Sequence, residues 1–485
     1  MRQPNILWIC SDQQRFDTLG CYGNAFVHTP NLDRLANEGV LFEYAFSQSP
    51  VCTPSRACFL TGRYRRTTRT RQNGQCIPED EVLVTRLLNE AGYTCGLSGK
   101  LHLSACNPSF CKHTERRIND GYSVFHWSHH PSPSWGTSDY EHWLREKGME
   151  YAGEPFGDSE RARTSVPEQY HQTTWCVQKA INFIEELPAR TEDRPWLFSV
   201  NTFDPHHPFD PPKEYLERYL DRLDDIPLPN YAEGELDDKP VFQQIDHRGP
   251  YGSGAKKMAA EAPRIPDREH RLVRAAYWAM CDLIDAQVGR LLGALEDTGQ
   301  RENTIVIFMS DHGEMLGDHG IYCKGPYFYE PAVRVPLIVS WPGVILQGRR
   351  SRALVELCDL APTLLDAAGL ERHPGMQGRS LWPLLAGDAD LHGHRDDVYC
   401  EYYNAMTGHT DPPAHLTMVR TRRHKLVVTH GMEPGELYDL DADPQERRNL
   451  WDDAGHVSVR MEMLNRLCDR MAWTVDPLPE RVAPW

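Results

Sequence analysis

Four mostly apolar runs, each followed at once by polar residues capable of chemistry, constrain this chain more than any other feature. They are residues 6–10 ahead of Asp12, residues 94–98 ahead of Lys100 and His102, residues 196–203 ahead of Asp204, His206 and His207, and residues 304–310 ahead of Asp311 and His312. Short continuous apolar runs of this kind read as strands covered on both faces, which is the habit of a parallel sheet between helices. In such a sheet the strand carboxyl ends open onto one edge, where these folds place ligands. The pattern predicts that groups from four distant stretches meet at a single site.

The segments between fit that reading. Residues 29–39, Thr-Pro-Asn-Leu-Asp-Arg-Leu-Ala-Asn-Glu-Gly, start with a cap-and-Pro signal and stop at Gly39, as a helix does. Further helices are expected at 52–62, 79–91, 270–297 and 355–368, and further strands at 40–47 and 335–341. Residues 104–190, rich in His, Ser, Pro and Trp, and residues 211–268 read as loops inserted over the sheet, the usual place for substrate contacts. After Leu385 the pattern changes to short strands at 398–403, 416–420, 425–429 and 437–439 and a helix at 457–473. The expected fold class is therefore α/β. Residues 1–385 form a large mixed, mostly parallel sheet flanked by helices, and residues 386–485 a smaller C-terminal α+β subdomain with a tail.

A formal charge of -17 argues against nucleic acid as a partner, because phosphate contacts need a basic surface. An anionic substrate then requires a local basic pocket. No apolar run reaches the roughly 20 residues of a membrane span, and Met1-Arg2-Gln3-Pro4 leads into the first strand without an export signal. The 14 cysteines form no paired framework and read as reduced thiols, so the expected location is the cytoplasm.

The stretch Cys52-Thr53-Pro54-Ser55-Arg56 sets a thiol and a fixed cation one turn apart at a helix start. Pro54 suits a first turn, and the free amides and dipole there favour an anion such as a sulfate or phosphate ester. Asp12, Asp311 and His312 offer two carboxylates and an imidazole for a divalent cation. Gln13 offers either an amide oxygen ligand or a hydrogen-bond donor. The tripeptide Asp-His-Gly occurs again at Asp318-His319-Gly320, but not directly after a strand, and reads there as a satisfied turn.

Cys52-Thr53-Pro54-Ser55-Arg56, continued by Leu60-Thr61-Gly62-Arg63, resembles the C-x-P-S-R signature of the type I, formylglycine-dependent sulfatases of the alkaline-phosphatase-like superfamily. Residues 30–35 resemble the family's first helix, Gly99-Lys100-Leu101-His102 its G-K-x-H motif, and Pro205-His206-His207-Pro208-Phe209 its P-H-x-P-F motif. Residues 310–320 with Lys324-Gly325, and residues 436–446, resemble its later segments.

The resemblance implies that a maturation enzyme oxidises Cys52 to formylglycine (3-oxoalanine). The hydrated aldehyde attacks the sulfur of a sulfate monoester, an aryl or carbohydrate sulfate, giving a covalent sulfo-enzyme intermediate and then inorganic sulfate. It implies Asp12, modified Cys52, Asp311 and His312 as metal ligands, and Arg56 as the group orienting the nucleophile. Lys100 and Lys324 would neutralise the sulfate oxygens, His206 would protonate the leaving alkoxide with Lys324 close by, and His102 would serve the diol as base or hydrogen-bond partner. Asn73, in Arg71-Gln72-Asn73-Gly74, stands where the family presents an anion-contacting Asn, although Asn-Gly is also an ordinary turn.

Two departures matter. Many sulfatases pair Asp-Asp and Asp-Asn where this chain has Asp12-Gln13 and Asp311-His312. An imidazole in place of an oxygen donor shifts preference from Ca2+ toward Mn2+ or another transition metal. The same changes occur in choline-sulfatase-like enzymes and in phosphonate monoester hydrolases, so phosphonate monoester or phosphodiester hydrolysis is the alternative. Lys100 and His102 favour the sulfatase. Other readings are an inactive anion-binding homologue, and a thiol hydrolase using Cys52 with His206, which leaves the metal ligands unexplained. The Trp127, Trp135 and Trp143 side chains suit either a sugar or aryl ring or the anchoring of a long insertion. The basic residues at 63–71 suit extra anionic groups or a solvated face. A homo-oligomer docked through the tail at 477–485 is a further expectation.

Overall fold

A computed structural model describes residues 3–111, 113–135, 137–159, 161–190, 194–248, 265–406 and 411–480. Nine strands form the main sheet: β1 (Asn5–Ser11), β2 (Val40–Phe46), β3 (Thr94–Gly99), β4 (Val124–Trp127), β7 (Trp196–Asn201), β8 (Thr304–Ser310), β9 (Arg334–Val335), β10 (Leu337–Ser340) and β11 (Arg349–Glu356). A hairpin of two-residue strands, β5 (Glu154–Pro155) and β6 (Arg163–Thr164), lies apart. The order across the sheet is β11-β2-β10-β8-β1-β7-β3-β4, with the short β9 also on β2. Strand β1 is parallel to both neighbours, β7 and β8; β3 is parallel to β7 and β4, and β11 to β2. Only β9 and β10 run against the rest, so seven carboxyl ends share one edge.

Period-two alternation splits β1 between two cores. Ile6 and Trp8 join Phe59, Leu60, Leu88 and Leu364 on one face, whereas Leu7 and Ile9 join Leu35, Trp175, Ile184 and Leu291 on the other. The first face is covered by helices Cys52–Thr61, Val84–Glu90 and Leu360–Ala367, the second by Pro30–Asn37, Gln172–Arg190 and Asp267–Asp297. Ile6, Leu7, Phe308 and Ile338 are wholly buried. Each such side chain contributes about 1.5–3 kcal/mol of transfer free energy.

Several local expectations shift. The helix read at 79–91 begins only at Val84, and residues 349–356 form strand β11 before the helix Leu360–Ala367 starts. Pro336, which lacks an amide for a ladder, separates β9 from β10 within the run at 335–341. Thr29 does not cap the helix Pro30–Asn37; its hydroxyl accepts the Gly20 amide. The Asp285 carboxylate caps instead, taking the Asn31 and Leu32 amides at 3.2 and 2.7 Å.

The segment 104–190 is more than loops. It supplies edge strand β4 and the helix Gln172–Arg190, which packs against β3 and β7. Of 211–268, residues 249–264 lie outside the described residues, and the rest carries helices Lys213–Glu217 and Val241–Arg248 and the start of Asp267–Asp297.

The C-terminal strands β12 (Asp397–Tyr403), β13 (His415–Thr421), β14 (His424–Thr429) and β15 (Glu436–Asp439) form an antiparallel sheet in sequence order. The helix Val457–Trp473 covers one face through Met463 and Leu467, and the other face packs on Phe46, Met315 and Tyr329 of the large unit. The run at 63–71 is partly consumed in ion pairs, with Arg63 and Arg65 buried and Arg66, Arg69 and Arg71 exposed. Arg65 and Arg66 pair with Glu401, and Arg63 with Glu81 and Asp476. Cysteines throughout are free thiols, most of them buried. Among the described residues no helix is long and apolar enough to cross a membrane.

Candidate active site

Register brings the predicted groups level. Ser11 is opposite Ser310, Cys10 opposite Asn201, and Gly99 opposite Asn201, so Asp12 and Asp311 leave the neighbouring strands β1 and β8, and Lys100 leaves β3 across β7, at one height. Two glycines allow the close turns this needs. Gly99 has φ +98°, and a Cβ there would strike the Asn201 carbonyl; one at Gly313 would strike the Pro331 carbonyl.

Cys52 is the first residue of the helix Cys52–Thr61, entered from an extended Val51 and left through a left-handed Gly62. Every residue of this helix is buried. Ser55 Oγ donates to the Asp311 carbonyl at 2.6 Å, tying the helix start to the end of β8. Asn73 Oδ1 accepts the Thr53 amide at 3.0 Å and so caps the helix.

Around Cys52 the polar side chains close a shell. Its Sγ lies 3.0 Å from His312 Nε2, 3.1 Å from Lys324 Nζ and 3.6 Å from Asp12 Oδ1. One potential ligand atom each from Asp12, Cys52, Asp311 and His312 lies within 4.8 Å of all the others, and all four residues are buried. His312 Nδ1 faces the Gly313 carbonyl at 2.9 Å, which leaves Nε2 for the centre.

A basic ring surrounds the acids. Lys100 Nζ donates to Asp12, and Arg56 Nε donates to Asp311 Oδ2 at 2.9 Å. Arg56 Nη1 donates to the Lys100 carbonyl at 2.7 Å; its Nη2, 3.6 Å from Asp12, is buried without a hydrogen-bond partner. Lys324 Nζ donates to Gln13 Oε1 at 2.5 Å and approaches His206 Nε2 at 2.8 Å. His206 Nδ1 faces the His207 carbonyl at 2.6 Å and therefore carries the ring proton.

Electrostatics follow from this packing. Burial alone would raise the Asp12 carboxyl, but Lys100, Arg56 and Lys324 outweigh it and hold it far below the carboxylate range. Burial and Asp12 push the Cys52 thiol up, while Lys100, Lys324 and His312 bring it down to about 7. Burial, then nearby lysine charge, holds His206 and His102 well below the ordinary histidine value, so both rings are neutral at pH 7. Burial also opposes protonation of His312, yet Asp311 and Cys52 raise its value overall.

His102 sits past β3 with a left-handed backbone (φ 55°), and its amide donates to Glu115. Its Nδ1 is buried without a partner. Gln13 bridges, with its amide nitrogen on Glu314 and its oxygen on Lys324. Asp204 is a correction: its carboxylate turns away to Thr173 Oγ1 at 2.6 Å and His171 at 3.4 Å. Asp318 is paired with Arg15 and Arg274, and His319 is stacked on Tyr329 and paired with Glu235, so that second tripeptide is a satisfied turn. Trp127 and Trp143 are anchors, the first donating to Glu115 at 3.0 Å and the second stacked on Tyr140.

Two supporting carboxylates were not singled out from the sequence. Glu314 holds Gln13 and the Leu316 amide, and Glu115 collects the amides of His102, Leu103 and Ser104. Glu314 carried a signal, standing two residues after His312; Glu115, inside an irregular segment, carried none.

Comparison with known proteins bears on the family and the fold. The family model described as Sulfatase matches residues 4–370, and that described as N-sulphoglucosamine sulphohydrolase, C-terminal, matches residues 317–472. An arylsulfatase of Clostridium perfringens is 32% identical over 475 residues, covering 92% of this chain and 90% of its own. A choline-sulfatase of Rhizobium meliloti is 28% identical, covering 92% of this chain and 82% of its own. The phosphonate monoester hydrolase of Agrobacterium radiobacter superposes with a TM-score of 0.84 at 27% identity, covering 98% of this chain and 97% of its own.

Proposed function

The chain belongs to the sulfatase family, a family of sulfuric ester hydrolases, and we propose that it hydrolyses a sulfate monoester to an alcohol and inorganic sulfate at position 52. The observation that carries this reading is the shell itself: an oxidisable thiol 3.0–3.6 Å from His312, Lys324 and Asp12, with Arg56 and Lys100 behind the acids.

The donors fit one divalent cation. Two carboxylates, one imidazole and residue 52 converge, and Arg56 Nη2 beside Asp12 is left as an unpartnered donor for a further oxygen. The mixed oxygen and nitrogen set favours Mn2+ over Ca2+. When bound, the cation would lower the pKa of an oxygen at residue 52 and offset charge on the ester. Conversion of Cys52 to formylglycine by a maturation enzyme would put that oxygen where the sulfur now sits.

The chain's own residues do the rest. Arg56 holds Asp311 and the neighbouring backbone rigid and points one N–H inward. Lys100 and Lys324 are the cations for the sulfate oxygens, whose charge must be compensated as sulfur is attacked. The leaving alkoxide takes its proton from the Lys324–His206 pair, where the hydrogen-bond pattern puts the transferable proton on Lys324. His102, neutral and with Nδ1 unpartnered, serves residue 52 as base or hydrogen-bond partner. Asn73 can offer its amide nitrogen to the substrate anion, since its oxygen caps the helix. We assign the catalytic unit to 1–385 and the smaller one to 386–485, in a cytoplasmic homo-oligomer; residues 481–485 of the tail lie outside the described residues.

A second reading, hydrolysis of a phosphonate monoester or phosphodiester, is favoured by the TM-score of 0.84 to a phosphonate monoester hydrolase. The ratio of kcat/KM for nitrophenyl sulfate and a phenyl phosphonate ester decides. A large sulfate preference is expected, and a large phosphonate preference would replace the first reading with the second. Mass spectrometry of the peptide containing Cys52 should show loss of hydrogen sulfide and gain of one oxygen in active protein; an unmodified thiol at full activity overturns the formylglycine step.

A further inference from the structure

Beside the centre just described lies a second set of metal-type donors. His102 and Cys106 belong to the turn after β3, and His129 follows β4, the strand parallel to β3, so both loops open on the same sheet edge. One potential ligand atom from each lies within 4.8 Å of the other two, and all three residues are buried. His129 is unusual among them. Both its ring nitrogens are buried without a hydrogen-bond partner, and its ring is stacked on Trp135 at 4.5 Å and perpendicular to His102 at 4.5 Å between centroids. His102 Nδ1 is also unpartnered. A buried polar group with nothing to bond costs about 1–3 kcal/mol, and three such nitrogens on two rings beside a thiol are a standing cost unless something binds them.

We propose that His102, Cys106 and His129 form a second, inhibitory site for a thiolate-seeking divalent metal of the Zn2+ class. Two imidazoles and a thiolate leave one of four tetrahedral positions for water. Zinc ligand distances of about 2.0–2.3 Å require the donors to draw in by about an ångström. The irregular segment around Cys106 permits that, while Glu115 holds the amides of His102, Leu103 and Ser104. The rings are in their ligating form, since burial holds both histidines well below their ordinary value. Burial and Glu115 hold the Cys106 thiol protonated. Binding therefore exchanges one proton for the metal, S–H giving way to an S–metal bond with the proton released to solvent, and tightens as pH rises. Inhibition rests on the proposed role of His102 at residue 52, because a ring bound to metal cannot serve there; occupancy of the site does not rest on it.

The test uses whole protein with its resident site loaded with Mn2+, and Co2+ or Zn2+ as the added metal. One equivalent of Co2+ should produce a near-ultraviolet thiolate-to-cobalt charge-transfer band that survives Cys52→Ser and is lost in Cys106→Ser. His129→Gln, a second variant in case the first folds poorly, should weaken cobalt binding by at least about tenfold. Absence of the band in wild type, or its persistence in Cys106→Ser, overturns the site. In converted enzyme Zn2+ should inhibit hydrolysis of nitrophenyl sulfate, with Cys106→Ser retaining basal activity and needing at least about tenfold more Zn2+. A Cys106-dependent band without inhibition retains the site and removes His102 from the catalytic reading.

Discussion

Lys324 Nζ stands 2.8 Å from His206 Nε2, and the opposite nitrogen of that ring is tied at 2.6 Å to the His207 carbonyl. The ring is thereby fixed as an acceptor toward the lysine. A histidine expected to be the acid thus holds no proton on the side facing residue 52, and the lysine beside it does.

Leaving-group dependence exposes this division. Lys324→Ala should lower kcat/KM by about 10²–10⁴-fold for an alkyl sulfate, whose alkoxide needs a proton. The loss should shrink for nitrophenyl sulfate, whose leaving group departs unprotonated. A plot of log kcat/KM against leaving-group pKa should steepen in the variant. A uniform loss across the series would confine Lys324 to the sulfate oxygens.

Arg56 is enclosed between Asp311 and Asp12, all three nearly without solvent access. Removing one partner of a buried ionic group typically costs about 3–5 kcal/mol, because the other charges stay buried. Metal-free Arg56→Ala should lose stability on that scale in denaturant unfolding, and Arg56→Lys less, keeping the charge but not the fork. Wild-type stability in Arg56→Ala would mean that Lys100 and Lys324 alone neutralise the two acids.

Chelation should abolish hydrolysis, and Mn2+ should restore more activity than Ca2+, since His312 in the proposed ligand set would contribute a nitrogen where calcium prefers oxygen. His312→Asp should reverse that order when both metals are titrated against the stripped enzyme. An unchanged order in the variant would remove His312 from the ligand set.

What the sequence disclosed of this site was its strand ends. Asp12, Lys100, Asp311 and His312 were legible because a buried strand must be apolar until its edge, and the first polar residues beyond it are where the sheet opens. Cys52 and Arg56 were legible from a helix-start signature. Asp204 follows the same rule yet faces Thr173, because position after a strand does not fix which way a side chain turns. Edge strand β4 escaped detection: Val-Phe-His-Trp is short, mixed in polarity and set in an irregular segment. The Asp285 cap was equally hidden, as it comes from a helix about 250 residues away. Partners so distant in the chain leave no local pattern.

The thiol at position 52 supplies the last prediction. Burial and Asp12 disfavour its thiolate, but Lys100, Lys324 and His312 prevail and set it at about 7, below an ordinary cysteine. In the metal-free, unconverted protein the thiolate should therefore form as pH rises through about 7. Stability from this ionisation is present above the unfolded cysteine's value and is lost as pH falls through about 7, because the unfolded chain then binds the proton more readily. Thiolate ultraviolet absorbance should show a step near 7 that Cys52→Ser removes, and Lys100→Ala should move the step upward by deleting one cation's field. Cys10 and Cys176, pushed far up by burial, stay silent in that range. A step no lower than that of a free cysteine would mean that the basic ring does not reach residue 52. Once Cys52 is converted to formylglycine no sulfur remains there, so the height of the step should fall linearly as activity toward nitrophenyl sulfate rises across preparations of different conversion.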